Sequence, residues 1–473
     1  MAYCLRKSPS STPRLTISSL TQNRRRHKEI KMLRRRFYSY VIPSLFAFML
    51  CGMYAIVDGI FVGHAVGDAG LAAINVAYPI TALFLAIGTG IGMGGAVRYS
   101  ICSGAGDKNN AKLNVAATFN LLLAFSVFYT IVIMAFLDEI IFILGARDTL
   151  ADMCYEYLIV IAYAAFVPVF STGVIPLVRN FGYAKIAMWA MITGFITNIL
   201  LDWLFIFVFD WGLTGAALAT IVGESSAFVF AFGYMIYKRD LYLNFNIIKQ
   251  LKLYAPIVRI SIAPFGLTIS PCVILIIINN YSGIYGGNTA IAVYAVLAYI
   301  ICVITMILQA VGEGAQPLFS HYFGAHKLTA LFFTRNLAYK NALLFALIGG
   351  GALFLLRDYC GPLFGASNEV SIEVANVMPI FVLGLPFIAI IRVTTECFYA
   401  TEFNKYSYVL TYMEAIMLLI FLQILPPFLG QYGVWWAVFA SQFAAALVAL
   451  GLKYKYDQKL FSKRNFGHKL HAI

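Results

Sequence analysis

Twelve apolar runs, each near or above the roughly 20 residues needed to cross a bilayer, follow one another along almost the whole chain. They lie near residues 38–62, 70–101, 113–144, 152–178, 184–209, 213–237, 255–281, 288–321, 332–356, 371–399, 405–428 and 432–454. The links between them are short, and the longest, near 238–254, is basic and polar. Of 473 residues 61% are hydrophobic and 12% charged, about half the charged share of a soluble domain. Such a chain is at home in lipid, and the runs predict an all-α integral membrane protein.

Charge sets the expected orientation. With the N-terminus inside, the tail before the first run carries 11 Lys and Arg; counted together with the adjoining ends of the runs, the links after runs 2, 4, 6, 8 and 10 carry 3, 2, 5, 3 and 1, and the C-terminal tail carries 6. The only Lys or Arg left over are Arg147 and Arg357 on opposite-side links and Arg392 within run 10. The opposite links carry acids instead, among them Asp68, Asp138, Asp148, Asp210 and Glu369. This asymmetry predicts an even number of spans and two cytoplasmic termini. It also accounts for the net charge of +13 without nucleic acid as a partner.

The chain repeats itself at an offset of about 220. Gly92 and Gly94 match Gly312 and Gly314, Ser100 matches Ser320, Gly104-Ala105 matches Gly324-Ala325, and Gly145-Ala146 matches Gly365-Ala366. Two six-span halves of the same orientation imply a pseudo-two-fold axis along the membrane normal, with a cavity between the halves. The expected organisation is a basic, disordered tail over 1–36, an N-lobe over 37–237, a cytoplasmic linker over 238–254, a C-lobe over 255–455 and a basic cytoplasmic tail over 456–473. Met32, just before Leu33-Arg34-Arg35-Arg36, is a candidate start of translation.

Acids inside hydrocarbon are costly and need a reason. Asp58 lies in run 1. Asn198 and Asp202 lie four apart in run 5, on one helical face, and Thr220 of run 6 is placed to complete an oxygen-rich pocket. Two carboxylates in low dielectric favour uptake of a proton, and the same oxygens suit Na⁺. Against this stands the plain reading that Asp202 faces outer water and that Thr220 satisfies its own backbone. Glu313 and Gln316 in run 8 are candidate cavity groups, Glu313 as a carboxylate for a cationic substrate. Glu396 follows Arg392 by four and is expected to pair with it. Glu224 and Glu414 are expected to face the cavity. Proline bends helices, and Pro43 in run 1 is a candidate hinge. The eight Cys read as small hydrophobes, the six His have no metal-ligand spacing, and no phosphate-binding loop or nucleophile elbow occurs, so neither an enzyme nor a resident metal or cofactor is expected.

Four stretches resemble the signatures of the MATE (multidrug and toxic compound extrusion) transporters, in family order: Asp58-Gly-Ile-Phe-Val-Gly63 through Ala73 to Pro79, Asn198-Ile-Leu-Leu-Asp202, Gly212-Leu-Thr-Gly215 through Thr220, and Gln316-Pro317 through Gly324-Ala325. The resemblance runs from about 38 to 455 and is nearest a bacterial branch that includes a staphylococcal exporter. It implies twelve transmembrane helices in two pseudo-symmetric six-helix lobes, in the bacterial cytoplasmic membrane, as a monomer. It maps a cation-coupling site onto Asp58, Asn198 and Asp202, supported by Thr220 and Tyr157. Some members use a carboxylate in helix 7, which this chain lacks, leaving Glu396 as a weaker substitute. The implied activity is export of organic cations in exchange for H⁺ or Na⁺. Two rivals are a flippase of lipid-linked saccharides, which needs a cationic cavity, and an exporter of an endogenous metabolite.

Overall fold

In the computed structural model the described backbone covers residues 17–244 and 247–470. The side chains of 17–26, 54–60, 62–69, 71, 247–249 and 463–470 lie outside the described set. Every regular element among the described residues is helical. Among the described residues ten helices are long and apolar enough to cross a membrane, and a bent pair forms one more span. One of the ten, Gln250–Gly324, runs for 75 residues. It breaks at Gly287, whose φ of 63° and ψ of −156° no helix contains. Cys272 and Cys302, equidistant from Gly287 in sequence, both lie within electrostatic reach of Tyr78. Held in one straight helix they would stand about 45 Å apart, so the chain doubles back and makes two spans. Tyr78 is also within reach of Cys51, so the first two spans fold back on each other in the same way.

The twelve spans are α1 (His27–Met53), α2 (Ala72–Gly104), α3 (Lys108–Ala135), α4 (Asp148–Tyr163 with Phe166–Asn180, bent by 57°), α5 (Ala184–Val208), α6 (Gly212–Lys238), α7 (250–286), α8 (288–324), α9 (Leu328–Leu355), α10 (Asn368–Ala400), α11 (Asn404–Ile424) and α12 (Gln431–Ser462). Large apolar side chains such as Phe128, Ile131, Leu347 and Phe428 are exposed. In water that would be a liability, whereas in a bilayer it is the lipid-facing surface.

The sequence repeat is written into the backbone. Residues with positive φ recur in pairs 220 apart: Gly106 with His326, Gly145 with Gly365, Gly182 with Glu402, and Asp210 with Gly430. The short helices Leu137–Ile143 and Arg357–Leu363 keep the same offset. Where the halves meet, the contacts are reciprocal. A Cβ on Gly104 would stand 2.2 Å from the His321 carbonyl oxygen, and one on Gly324 would stand 2.0 Å from that of Ile101. Likewise Gly94 abuts Ser261 of α7, and Gly314 abuts Val41 and Ser44 of α1. Each lobe thus lends the other the backbone surface that its own glycine exposes. Residue i meeting j while j's counterpart meets i's is the mark of a two-fold interface.

Links after even-numbered spans gather on one face. Arg98 at the end of α2 pairs with Glu402 in the α10–α11 link. The Tyr183 hydroxyl donates to Asp240 over 2.9 Å, tying the α4–α5 link to the linker. Leu33 and Leu460 share one apolar cluster with Tyr322 and Phe403, so the start of α1 and the end of α12 lie there as well. This is called the terminal face below. One expectation about the tails is corrected. The chain is helical from Ile17, not disordered to 36, with Leu33 8% exposed. Helix also persists through Leu470, because Tyr456 and Leu460 are buried and Asp457 pairs with Arg335.

Candidate functional site

The N-lobe pocket begins with two helices that nearly touch. Glycine at 194 and 223 lets α5 and α6 approach. A Cβ on Gly223 would lie 2.7 Å from the Asn198 Cβ, and one on Gly194 would lie 3.0 Å from the Ala227 Cβ. That proximity brings Asn198 to Thr220. The Asn198 amide donates to the Thr220 Oγ1 over 3.5 Å, and Thr220 donates in turn to the Ala216 carbonyl over 3.0 Å. Asn198 and Asp202 are 3% and 1% exposed, so Asp202 does not face open water at the helix end. Asn198 Oδ1 is buried with no hydrogen-bond partner among the described residues, an arrangement that costs about 1–3 kcal/mol unless a donor or cation fills it.

Asp202 also marks a change of helix. From Trp203 to Val208 the chain winds as a π-helix, a widened turn that recurs at functional sites. Phe207 in that turn meets Phe61 edge to face, centroids 5.7 Å apart, which brings the segment following Asp58 alongside. The Asp58 carboxylate itself lies outside the described side chains. Tyr157 of α4 is buried in the same lobe, within its main apolar cluster. In the C-lobe the positions 220 residues on from Asp58, Asn198 and Asp202 are Ile278, Leu418 and Leu422, packed into one apolar cluster with Tyr294, Phe381 and Trp435. The polar pocket therefore has no second copy.

A second buried polar cluster joins the lobes near the terminal face, and the sequence reading missed its key member. Arg179, counted above as a link residue, is the penultimate residue of α4 and 3% exposed. Its guanidinium donates to Glu313 of α8 over 2.7 Å, and Gln309 donates to the other carboxylate oxygen over 2.9 Å. Glu313 is thus a paired, buried interface group in this structure and not an open cavity carboxylate. Beside it Asn180 accepts from Ser100 over 2.6 Å and donates to Gln316 over 2.9 Å. Gln316 donates to Ser320 over 2.9 Å, and Ser320 to the Ala400 carbonyl over 2.8 Å. Gln316 lines this seam at 0% exposure. Pro43 is buried on α1 next to Ser44, where Gly314 packs.

The expected ion pair between Arg392 and Glu396 does not form. Glu396 instead accepts from the Tyr399 hydroxyl, and its chain turns into the space left by Gly312, where a Cβ would lie 2.6 Å from the Glu396 Cγ. Nor is Arg392 the lone cation in the spans, since Arg179 and Arg335 are buried too. Glu224 is half-buried on α6 with the Ser171 hydroxyl as its hydrogen-bonding neighbour, and Glu414 lies within electrostatic reach of Tyr294. Exposure rises away from the terminal face along the lobe boundary. Ser100, Gln316 and Ser320 are 0–3% exposed, while Met53 and Tyr78 are 51% and 46% exposed. No cluster of His, Cys, Asp or Glu fit for a metal occurs among the described residues.

The family model MatE matches residues 43–204 and 268–425, one stretch in each lobe. The chain belongs to the MatE family. Its relatives are transporters and not enzymes, and this MatE protein is a multi-pass membrane protein. The multidrug export protein MepA of Staphylococcus aureus (strain NCTC 8325 / PS 47) is 24% identical over 424 residues, covering 89% of this chain and 93% of that one. The protein of the same name in Staphylococcus saprophyticus is 22% identical over 428 residues, with the same coverages. Among solved structures, an outward-facing multidrug resistance MATE family transporter of the MOP superfamily superposes with a TM-score of 0.86 at 22% identity, over 91% of this chain and 97% of that one. A MOP superfamily transporter from Pyrococcus furiosus, described as having a binding pocket of reverse polarity, gives 0.85 at 22% identity over 91% and 98%. The fold is shared.

Proposed function

We propose that this protein exports organic cations across a bacterial cytoplasmic membrane in exchange for H⁺ or Na⁺, acting as a monomer with its terminal face in the cytoplasm. The observation that carries the reading is the N-lobe pocket, where Asp202 and the unfilled Asn198 Oδ1 are held out of water beside Thr220. A carboxylate in such a place gains by taking up a small positive ion, because the ion cancels a charge that the low dielectric penalises. Asp58 is proposed as the second carboxylate and Tyr157 as a supporting wall. Ion uptake from the face opposite the termini favours outward release of substrate, and loss of the ion to the other side restores the loading state. The names of the staphylococcal relatives support drugs as one substrate class. A membrane potential supplies about 2.3 kcal/mol per charge per 100 mV, roughly a 50-fold concentration ratio.

A flippase of lipid-linked saccharides needs several free cations in its cavity, whereas among the described residues two of the three buried arginines are matched by acids, Arg179 by Glu313 and Arg335 by Asp457, which leaves Arg392. The test is uptake of ethidium into everted vesicles, the direction that reports cellular efflux, under pH and Na⁺ gradients imposed separately. Asp58→Asn and Asp202→Asn are each expected to cut gradient-driven efflux at least tenfold at unchanged membrane abundance. Full efflux by both variants would overturn the assignment.

A further inference from the structure

The Arg179–Glu313 pair has the make-up of a site for an organic cation that is already filled. Its acceptor is a carboxylate 6% exposed, held by Gln309 on one oxygen and by Arg179 on the other. Its wall is aromatic: the Arg179 guanidinium stands over the Phe48 ring of α1, 5.8 Å from the centroid. A buried carboxylate beside an aromatic face is what recognises a delocalised organic cation, through charge and cation–π attraction together. The three walls come from three spans in two lobes: Arg179 from α4 and Phe48 from α1 in one lobe, Glu313 from α8 in the other. Glu396 and Tyr399 of α10 pack behind Glu313, and Arg392 stays within electrostatic reach of Glu396 without pairing to it.

We infer that Arg179 acts as a built-in substitute for substrate: it holds Glu313 while the lobes are closed on the terminal face, and when they part there it leaves Glu313 as the acid that binds the incoming organic cation. The inference rests on the organic-cation reading above and adds a named carboxylate and its competitor. Arg179 and Glu313 sit on opposite lobes, so separation of the lobes on this face stretches the pair before any contact within a lobe. A buried acid stripped of its partner is costly, so the opened state offers its strongest binding to whatever cation enters next. Closure returns Arg179, which expels the substrate from Glu313 toward the other side. Affinity is thereby tied to which face is open, without a separate switch.

The probe is tetraphenylphosphonium, bound to full-length protein in lipid nanodiscs. Spin labels replacing the exposed Lys108, which opens α3, and Lys327, on the α8–α9 link, report lobe separation on the terminal face. Glu313→Gln is expected to weaken binding at least tenfold and Arg179→Gln to tighten it several-fold, while both raise the population with widely spaced labels. The reversed pair, Arg179→Glu with Glu313→Arg, is expected to restore the closed label distance but not the affinity, which separates lost binding from lost folding. Wider label spacing with unchanged affinity in both single variants would overturn the inference, leaving a latch that does not meet substrate. Equal weakening by both variants would overturn it as well. Wild-type protein that neither binds nor exports tetraphenylphosphonium would retire the cation-export reading with it. Normal wild-type binding alongside gradient-driven efflux that is unaffected in Asp58→Asn and Asp202→Asn would retire only the coupling assignment.

Discussion

At the scale of single residues, what decides each role is the partner. Asp202 and Asn198 were visible in the sequence because a carboxylate and an amide in an apolar run have few innocent explanations. Arg335 and Arg179 were not, because each falls where a basic residue reads as a link to cytoplasm. Tertiary contact drew both inward. Arg335 makes two bonds to Asp457, of 2.6 and 2.9 Å, and lies over the Phe332 ring at 5.0 Å. Removing Arg335 takes from Asp457 its main partner and leaves only Lys453, at 3.3 Å, so Arg335→Ala is expected to cost about 3 kcal/mol. The low end of the usual range fits because the Asp457 side chain is 21% exposed. Loss of thermal stability in purified protein, with no change in ion dependence, is the readout; an unchanged melting temperature would contradict the assignment. Glu396 teaches the converse. Spacing of four permits a pair with Arg392 but does not compel one, and the vacancy at Gly312 gave Glu396 another direction to turn.

At the scale of elements, apolar length located the spans, and backbone conformation supplied what length cannot. The run expected near 113–144 ends as a span at Ala135, and a separate short helix, Leu137–Ile143, follows. Asp138 and Glu139 in its first turn mark the break, but the apolar residues on either side still read as one run. The 57° bend in α4 falls at Ala164, whose carbonyl would accept from the N–H that Pro168 lacks, whereas the π-turn after Asp202 carries no composition of its own. Close approach of α5 and α6 is the element-level condition for the pocket, and Gly223 secures it. Gly223→Ala places a methyl 2.7 Å from the Asn198 Cβ, and overpacking of this kind costs about 1–3 kcal/mol. The expected outcome is a wider Asn198–Thr220 separation and a weakened response of efflux to the ion gradient, measured in the same vesicles as the acid variants. An unaltered response would mean that the amide and hydroxyl need not meet.

At the scale of the whole molecule, the repeat made the architecture legible and left the seam unread. Glycines 220 apart announced two similar halves, but that Gly104 and Gly324 meet each other's lobe follows only from assembly in three dimensions. Gly104→Leu drives a side chain into the His321 carbonyl, so the lobes cannot close on the terminal face as they do here. Protein carrying it is expected to fold, to show widely spaced labels at 108 and 327, and to turn over at least tenfold more slowly; wild-type label distances would contradict the packing.

The aliphatic filling at Ile278, Leu418 and Leu422 has a consequence for accounting in charge. Under the proposed exchange the coupling ions bind only at Asp58 and Asp202, so the stoichiometry has a ceiling: two carboxylates, hence no more than two monovalent ions inward for each substrate outward. A singly charged substrate traded against two ions leaves one net charge moving with the field. Traded against one ion, it leaves none, and voltage then does no work on the cycle.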